Sequence, residues 1–222
     1  MNDFPFAIVG FDLDGTLLDT LDDLGAAVNH ALALEGRPPV PVAEVRHLIG
    51  GGAKQMLRRA LDLTGEIDDA KFAPLYAELL TFYTANIAVH TRPYPGCEAM
   101  LSELADRGTK LAVVTNKFEA LAHKVLAELG LTSRFATVIG GDTLGSGRAK
   151  PARDPIDEMV SRLGGGRAAF VGDTTYDIGA ARAAGVPCVA VTFGFHDRPP
   201  LELGADAVID HFAELIPTLM RL

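Results

Sequence analysis

Two carboxylates set two residues apart, Asp12 and Asp14, close the apolar run Phe6-Ala7-Ile8-Val9-Gly10-Phe11 and lead into Gly15-Thr16-Leu17-Leu18-Asp19. A short, unbroken apolar run ending in Asp-Gly suits a strand buried on both faces inside a parallel sheet. Its C-terminal end then delivers both acids to the crevice where open α/β sheets bind ligands. Buried acids without partners are costly, so a bound cation is the expected companion and the segment reads as a metal-assisted catalytic site. An Asp-Gly turn after a strand is the plainer reading of the same residues, and other segments decide between the two.

Three such segments follow later apolar runs. Thr115-Asn116 comes directly after 110–114, and its hydroxyl and amide can donate to phosphoryl oxygens or cap the next helix. Lys150-Pro151 comes after 137–139 and offers a positive charge to a phosphoryl oxygen and a nucleophile. Val171-Gly172-Asp173-Thr174-Thr175-Tyr176-Asp177 ends the run 168–171 and adds two acids, enough to complete the oxygen-rich coordination that Mg²⁺ prefers. Gathered in one crevice, Asp12, Asp14, Asp173 and Asp177 would repel strongly. A divalent cation plus Lys150 would be needed to hold most of them ionised.

The elements that must position these groups alternate along the chain. Runs at 6–11, 110–114, 137–139, 168–171 and 186–191 read as strands separated by helical patterns. That order predicts an α/β fold, a Rossmann-like parallel sheet with right-handed crossovers. The span between the first two runs is far too long for one crossover, and residues 19–91 read almost wholly helical. Helices are predicted over 21–35, 42–48, 53–63 and 68–89, the first with Asp19 or Thr20 as N-cap and Gly36 at its end, the last kinked or restarted at Pro74. Arg92-Pro93-Tyr94-Pro95-Gly96 returns the chain to the sheet. The predicted domains are a core of 1–18 and 92–222 and an inserted small all-helical cap of 19–91, hinged near Asp19 and Arg92.

In this setting Asp12-x-Asp14-Gly15-Thr16-Leu17 resembles the first signature of the haloacid dehalogenase-like superfamily. Thr115, Lys150-Pro151 and the Asp173/Asp177 segment fall in that superfamily's order, one after each of four successive strands, and the helical insert stands where many members carry a small cap. The resemblance implies that Asp12 attacks phosphorus to give an aspartyl-phosphate, while Asp14 protonates the leaving alkoxide and later activates water. It also implies that Thr115 and Lys150 hold phosphoryl oxygens, and that Asp12, the main-chain carbonyl of Asp14, and Asp173 bind Mg²⁺, with Asp177 a ligand or a support.

Within the superfamily, 11–20, Ile139-Gly140-Gly141-Asp142, Lys150-Pro151 and Thr192-Phe193-Gly194-Phe195 are most similar to the phosphoglycolate phosphatase group, which implies Mg²⁺-dependent hydrolysis of 2-phosphoglycolate. One departure is Arg153, in Lys150-Pro151-Ala152-Arg153-Asp154-Pro155, where the family commonly has a proline; it puts substrate preference in question. True dehalogenases lack the second aspartate, so Asp14 argues against them. Phosphonatases use a cap lysine as a Schiff base, for which Lys54, just after Gly50-Gly51-Gly52, is the candidate. A non-catalytic binding protein on the same fold is the other alternative, opposed by the intact Asp12, Asp14, Lys150 and Asp173. Gly51, Lys54, Arg59 and Asn116 are the candidate substrate contacts beyond Thr115 and Lys150, with Arg58 directed elsewhere on its helix.

Composition narrows the partners. The 222 residues are 48% hydrophobic and 22% charged, enough for a proper core. A net charge of −9 without a long Lys/Arg cluster argues against nucleic acid. A secretory leader and a bilayer-length apolar stretch are not recognisable, so a cytoplasmic protein is expected, acting on a small phosphorylated metabolite, as a monomer or homodimer. Cys97 and Cys188 read as small core residues, and the six histidines lack ligand-like spacing for zinc.

Overall fold

The computed structural model describes residues 4–65 and 68–222. The predicted domain limits 1–18 and 19–91 include residues 1–3 and 66–67, which lie outside the described residues. The elements are β1 (Ile8–Phe11), β2 (Leu18–Asp19), α1 (Leu21–Leu34), α2 (Val42–Val45), α3 (Ala53–Thr64), α4 (Asp69–Ala85), β3 (Arg92–Pro93), α5 (Cys97–Asp106), β4 (Lys110–Val114), α6 (Glu119–Glu128), β5 (Thr137–Ile139), α7 (Asp154–Arg162), β6 (Ala168–Gly172), α8 (Thr175–Ala184), β7 (Cys188–Val191), β8 (Ala207–Ile209) and α9 (Leu215–Leu219).

Six strands form one parallel sheet in the order β5-β4-β1-β6-β7-β8. The unbroken apolar runs have the burial that this position requires, since all four residues of β1 and all five of β6 are buried. Alternate side chains serve opposite faces. Val9, Phe11, Leu111, Val113 and Val171 join a core with α5, α6 and α9, whereas Ile8, Ala112, Val114 and Phe170 pack with Ile156 and Met159 of α7 and with Ile178 and Ala181 of α8. Register matters most for the site: Phe11 lies level with Val113 and with Val171, so β1, β4 and β6 end together.

The helical insert, α1 to α4, hangs from an antiparallel pair in which Leu18 opposes Pro93 and Asp19 opposes Arg92. Leu24, Ala27, Val28, Ala31 and Leu32 repeat at helical spacing and form the buried stripe of α1, which packs mainly on α4. Asp23, 2% exposed, ties the start of α1 to the returning chain. Its carboxylate accepts from the amides of His90 (3.0 Å) and Thr91 (2.9 Å) and from the Thr91 hydroxyl (2.7 Å).

The predicted fold class is observed, with local differences. α4 runs through Pro74 without a restart and stops at Ala85, four residues short of the predicted end, where Asn86 leaves the helical backbone (φ −123°, ψ 31°) and its side chain caps the Phe82 carbonyl at 2.9 Å. The second predicted helix is α2 followed by a single 3₁₀ turn over Arg46–Leu48. β8 and the β2·β3 pair were not foreseen, being too short to give a periodic signal. Thr20 precedes α1 but makes no side-chain cap, while Asp19 Oδ1 accepts from the Leu21 amide at 3.3 Å. Both cysteines are free and buried.

Replacing Asp23 by Ala leaves two amides and a hydroxyl without their acceptor in a buried place. The expected loss is about 1–3 kcal/mol in urea unfolding. An unchanged midpoint would remove Asp23 as the tie between the two crossings.

Candidate active site

The common ending of β1, β4 and β6 brings the sequence motifs to one place. The Asp12 amide donates to the Val171 carbonyl and the Thr115 amide to Ile139, each at 2.9 Å, so sheet pairing fixes the backbone right up to the functional side chains. Lys150 reaches them from the long loop after β5, its peptide bond to Pro151 being cis. Its buried ammonium stands 2.8 Å from Asp12 Oδ1 and 2.6 Å from Asp177 Oδ1. Asp173 is fully buried: Oδ1 accepts from the Thr16 hydroxyl and Oδ2 from the Phe195 amide, both at 2.8 Å. Gly15 makes this packing possible, since it sits at φ +84° and a Cβ there would lie 2.4 Å from Asp173 Oδ2.

Asp177 serves two ends at once. Its Oδ2 accepts from the amides of Asp173 and Thr174 and from the Thr174 hydroxyl, a capping box for α8, while Oδ1 takes Lys150. Both its oxygens are therefore engaged within the protein.

Asp12, Asp173 and Asp177 each offer a carboxylate oxygen within 4.8 Å of the others. Three carboxylates against one ammonium leave two uncompensated negative charges in a buried place. Burial raises Asp12 to about 6, opposed by Lys150 and reinforced by Asp177. Burial, then Asp177 and Asp12, push Asp173 well up. Lys150 is raised because Asp12 and Asp177 outweigh the desolvation that would lower it. Asp12 Oδ1 is buried and, despite its closeness to Lys150, makes no hydrogen bond of good geometry. An all-oxygen donor set, a missing double positive charge and an under-satisfied oxygen fit Mg²⁺.

Above this floor lies a cavity of about 420 Å³ between the sheet edge and the insert. Asp12, Asp14, Thr115, Asn116, Lys150, Gly51 and Lys54 all line it, and its upper wall is apolar, with Leu24, Ile49, Met56 and Leu79. Asn116 donates through Nδ2 to the carbonyls of Gly50 and Lys150, both at 3.0 Å, and so joins the insert to the Lys150 loop. Tyr176 makes a second bridge, its hydroxyl donating to Gln55 Oε1 at 2.8 Å. Lys54 is exposed at the cavity wall.

One predicted contact, Arg59, is not brought to the cavity. Arg59 donates to the carbonyls of His47 and Leu48 and is spent closing the 3₁₀ turn before α3. Arg153 pairs with Asp157 one turn along α7, at 2.6 Å. Conversely, Lys117 was missed: its buried ammonium lies 2.6 Å from both Asp14 oxygens. Its only sequence signal was adjacency to Thr115-Asn116.

A model of haloacid dehalogenase-like hydrolases matches residues 9–191, and the chain belongs to that family. The relatives are more particular. A phosphoglycolate phosphatase of Agrobacterium fabrum (strain C58 / ATCC 33970) is 45% identical over 220 residues, covering 98% of this chain and 93% of that protein. Another, of Caulobacter vibrioides, is 40% identical over 218 residues, covering 97% and 91%. The crystal structure of a predicted phosphoglycolate phosphatase from Haemophilus somnus 129PT has a TM-score of 0.91 at 31% identity, covering 96% of this chain and 98% of that one. The expected class, a phosphoric monoester hydrolase of phosphoglycolate phosphatase type, agrees with them. Among the described residues no helix is long and apolar enough to cross a membrane.

The charge imbalance gives a signed pH dependence. Without metal, the raised Asp12 favours the folded state fully below about 3.8, and this contribution is lost as pH rises through about 6. In EDTA, the Tm advantage of Asp12→Asn over wild type therefore grows between those values and levels off above. Excess Mg²⁺ at neutral pH raises the wild-type Tm and leaves Asp173→Asn unmoved. A Tm difference independent of pH would refute the raised Asp12.

Proposed function

We propose that the chain hydrolyses a small phosphate monoester, 2-phosphoglycolate, in the cytoplasm, through an aspartyl-phosphate on Asp12. The observation that carries the reading is that Asp12, Asp14, Thr115 and Lys150 all line one cavity, with the Lys150 ammonium 2.8 Å from Asp12. In the first step a carboxylate oxygen of Asp12 attacks phosphorus in line, the bond to the ester oxygen breaks, and Asp14 gives that oxygen its proton. In the second, Asp14 takes a proton from water, which attacks the aspartyl-phosphate; phosphate leaves and Asp12 is regenerated. Thr115 and Lys150 hold the phosphoryl oxygens throughout, so that little reorganisation accompanies the charge movement.

Asp12, Asp173 and the main-chain carbonyl of Asp14 would hold Mg²⁺, with Asp177 supporting them through Lys150 and the Asp173 amide. When bound, Mg²⁺ supplies charge neutralisation on the phosphoryl group. Residues 19–91 act as the cap, pivoting on the β2·β3 pair, and 1–18 with 92–222 as the core. The exposure of Lys54 disfavours a Schiff base, which calls for a desolvated amine.

Phosphate release from 2-phosphoglycolate, sugar phosphates, nucleotides and phosphonoacetaldehyde, each with Mg²⁺ or EDTA, tests the reading. Expected are Mg²⁺-dependent turnover that favours 2-phosphoglycolate and a loss of at least about 10³-fold in Asp12→Asn. Preference for phosphonoacetaldehyde would reinstate Lys54, and no turnover of any ester would leave a binding protein.

A further inference from the structure

The cavity holds a second cation that the phosphoryl chemistry does not use. Lys117, 9% exposed, is held by both Asp14 oxygens, and its ammonium lies 4.8 Å from the centre of the Tyr83 ring. Tyr83 is 3% exposed and lines the same cavity; its hydroxyl oxygen interacts with the Lys117 ammonium, but its proton finds no acceptor among the described residues. A donor left without an acceptor in a buried place is costly, so one kept in that state beside a buried ammonium is a site for an acceptor.

Geometry says which acceptor. To protonate the ester oxygen, an Asp14 oxygen must stand about 3 Å from it. Lys117 Nζ lies 2.6 Å beyond Asp14, within about 6 Å of that oxygen. From an ester oxygen, a carboxylate on the adjoining carbon extends roughly 3–4 Å, given ordinary bond lengths. The remaining gap is one charge-assisted hydrogen bond of about 2.8 Å.

We propose that Lys117 and Tyr83 bind the second anionic group of the substrate, a carboxylate one carbon from the ester oxygen. Lys117 thereby exchanges the Asp14 carboxylate for that of the substrate, and Asp14 is released to turn toward the ester oxygen. Recognition of the anionic tail and placement of the acid are one event. Esters without the tail leave Asp14 held. This rests on the reading of the chain as a 2-phosphoglycolate hydrolase.

The test compares 2-phosphoglycolate with 2-hydroxyethyl phosphate, which replaces the carboxylate by a neutral group, in wild type, Lys117→Met, Lys117→Arg, Tyr83→Phe and Lys54→Met. Wild type is expected to prefer 2-phosphoglycolate. In Lys117→Met the ratio of the two kcat/KM values falls by about 10²-fold, in Tyr83→Phe by about 10-fold, and Lys117→Arg restores most of it. Thermal melts identify any variant that has lost its fold, and Tyr83→Phe, which keeps the ring, then carries the comparison. Equal losses on both esters in Lys117→Met would overturn the inference and leave Lys117 as a structural partner of Asp14. Loss of selectivity in Lys54→Met alone would overturn the inference and move the tail site to Lys54 on α3. A wild type that hydrolyses neither ester, or prefers the neutral one, defeats the substrate reading itself and the inference with it.

Discussion

The ion pairs of Lys150 are the contact on which the rest of the site depends. One ammonium, buried and also 5.5 Å from the Phe170 ring centre, faces Asp12 on one side and Asp177 on the other. Neither acid could be kept in that place alone, since an unpaired buried charge costs several kcal/mol. Yet one lysine does not balance three carboxylates. The excess appears as the raised Asp12 and Asp173, and it keeps the floor of the cavity ready for a divalent cation. Stability is given up where the chemistry needs it, and the large two-faced core around the sheet supplies the compensation.

The sheet is what makes such a concentration of charge tolerable. Parallel strands with aligned registers stop at one level, so residues more than a hundred positions apart in the chain meet without any long loop having to find its place. Lys150 is the exception, arriving on a loop, and it is the residue with most help: Asn116 grips its carbonyl from β4's end while the same amide holds Gly50 of the insert. The insert and the loop that carries the buried cation are therefore fastened by one side chain.

This explains what was legible in the sequence. Asp12, Asp14, Thr115 and Asp173 lie directly behind apolar runs, and a run of that kind fixes both the strand and the edge where it ends, so their convergence follows from local pattern. Lys117 and Tyr83 carry no such mark. Their roles come from contacts spanning 103 residues for Lys117 with Asp14, and from the way α4 lies against the sheet edge, which periodicity does not encode. Arg59 lies off the cavity for a related reason: a cationic residue near a predicted cavity can meet acceptors locally, and here the guanidinium donates to the carbonyls of His47 and Leu48. Short elements such as β2, β3 and β8 were equally invisible, because two or three residues hold no period.

The distribution of polarity over the cavity then bears on selectivity. Its floor is charged and its roof apolar, lined by residues such as Leu24, Met56 and Leu79 that give a small hydrophilic ester almost nothing to recognise. Apolar contact discriminates weakly between ligands differing by one or two carbons, whereas a buried polar group left unpaired discriminates strongly. On the proposed reading, selectivity among small phosphate esters would come from the few polar side chains that line the cavity, and the roof would contribute chiefly by excluding water. A dry roof strengthens every charge beneath it. On that reading the insert can be most of the wall and yet leave the choice of substrate to a few polar groups, those at the sheet edge and one tyrosine of α4.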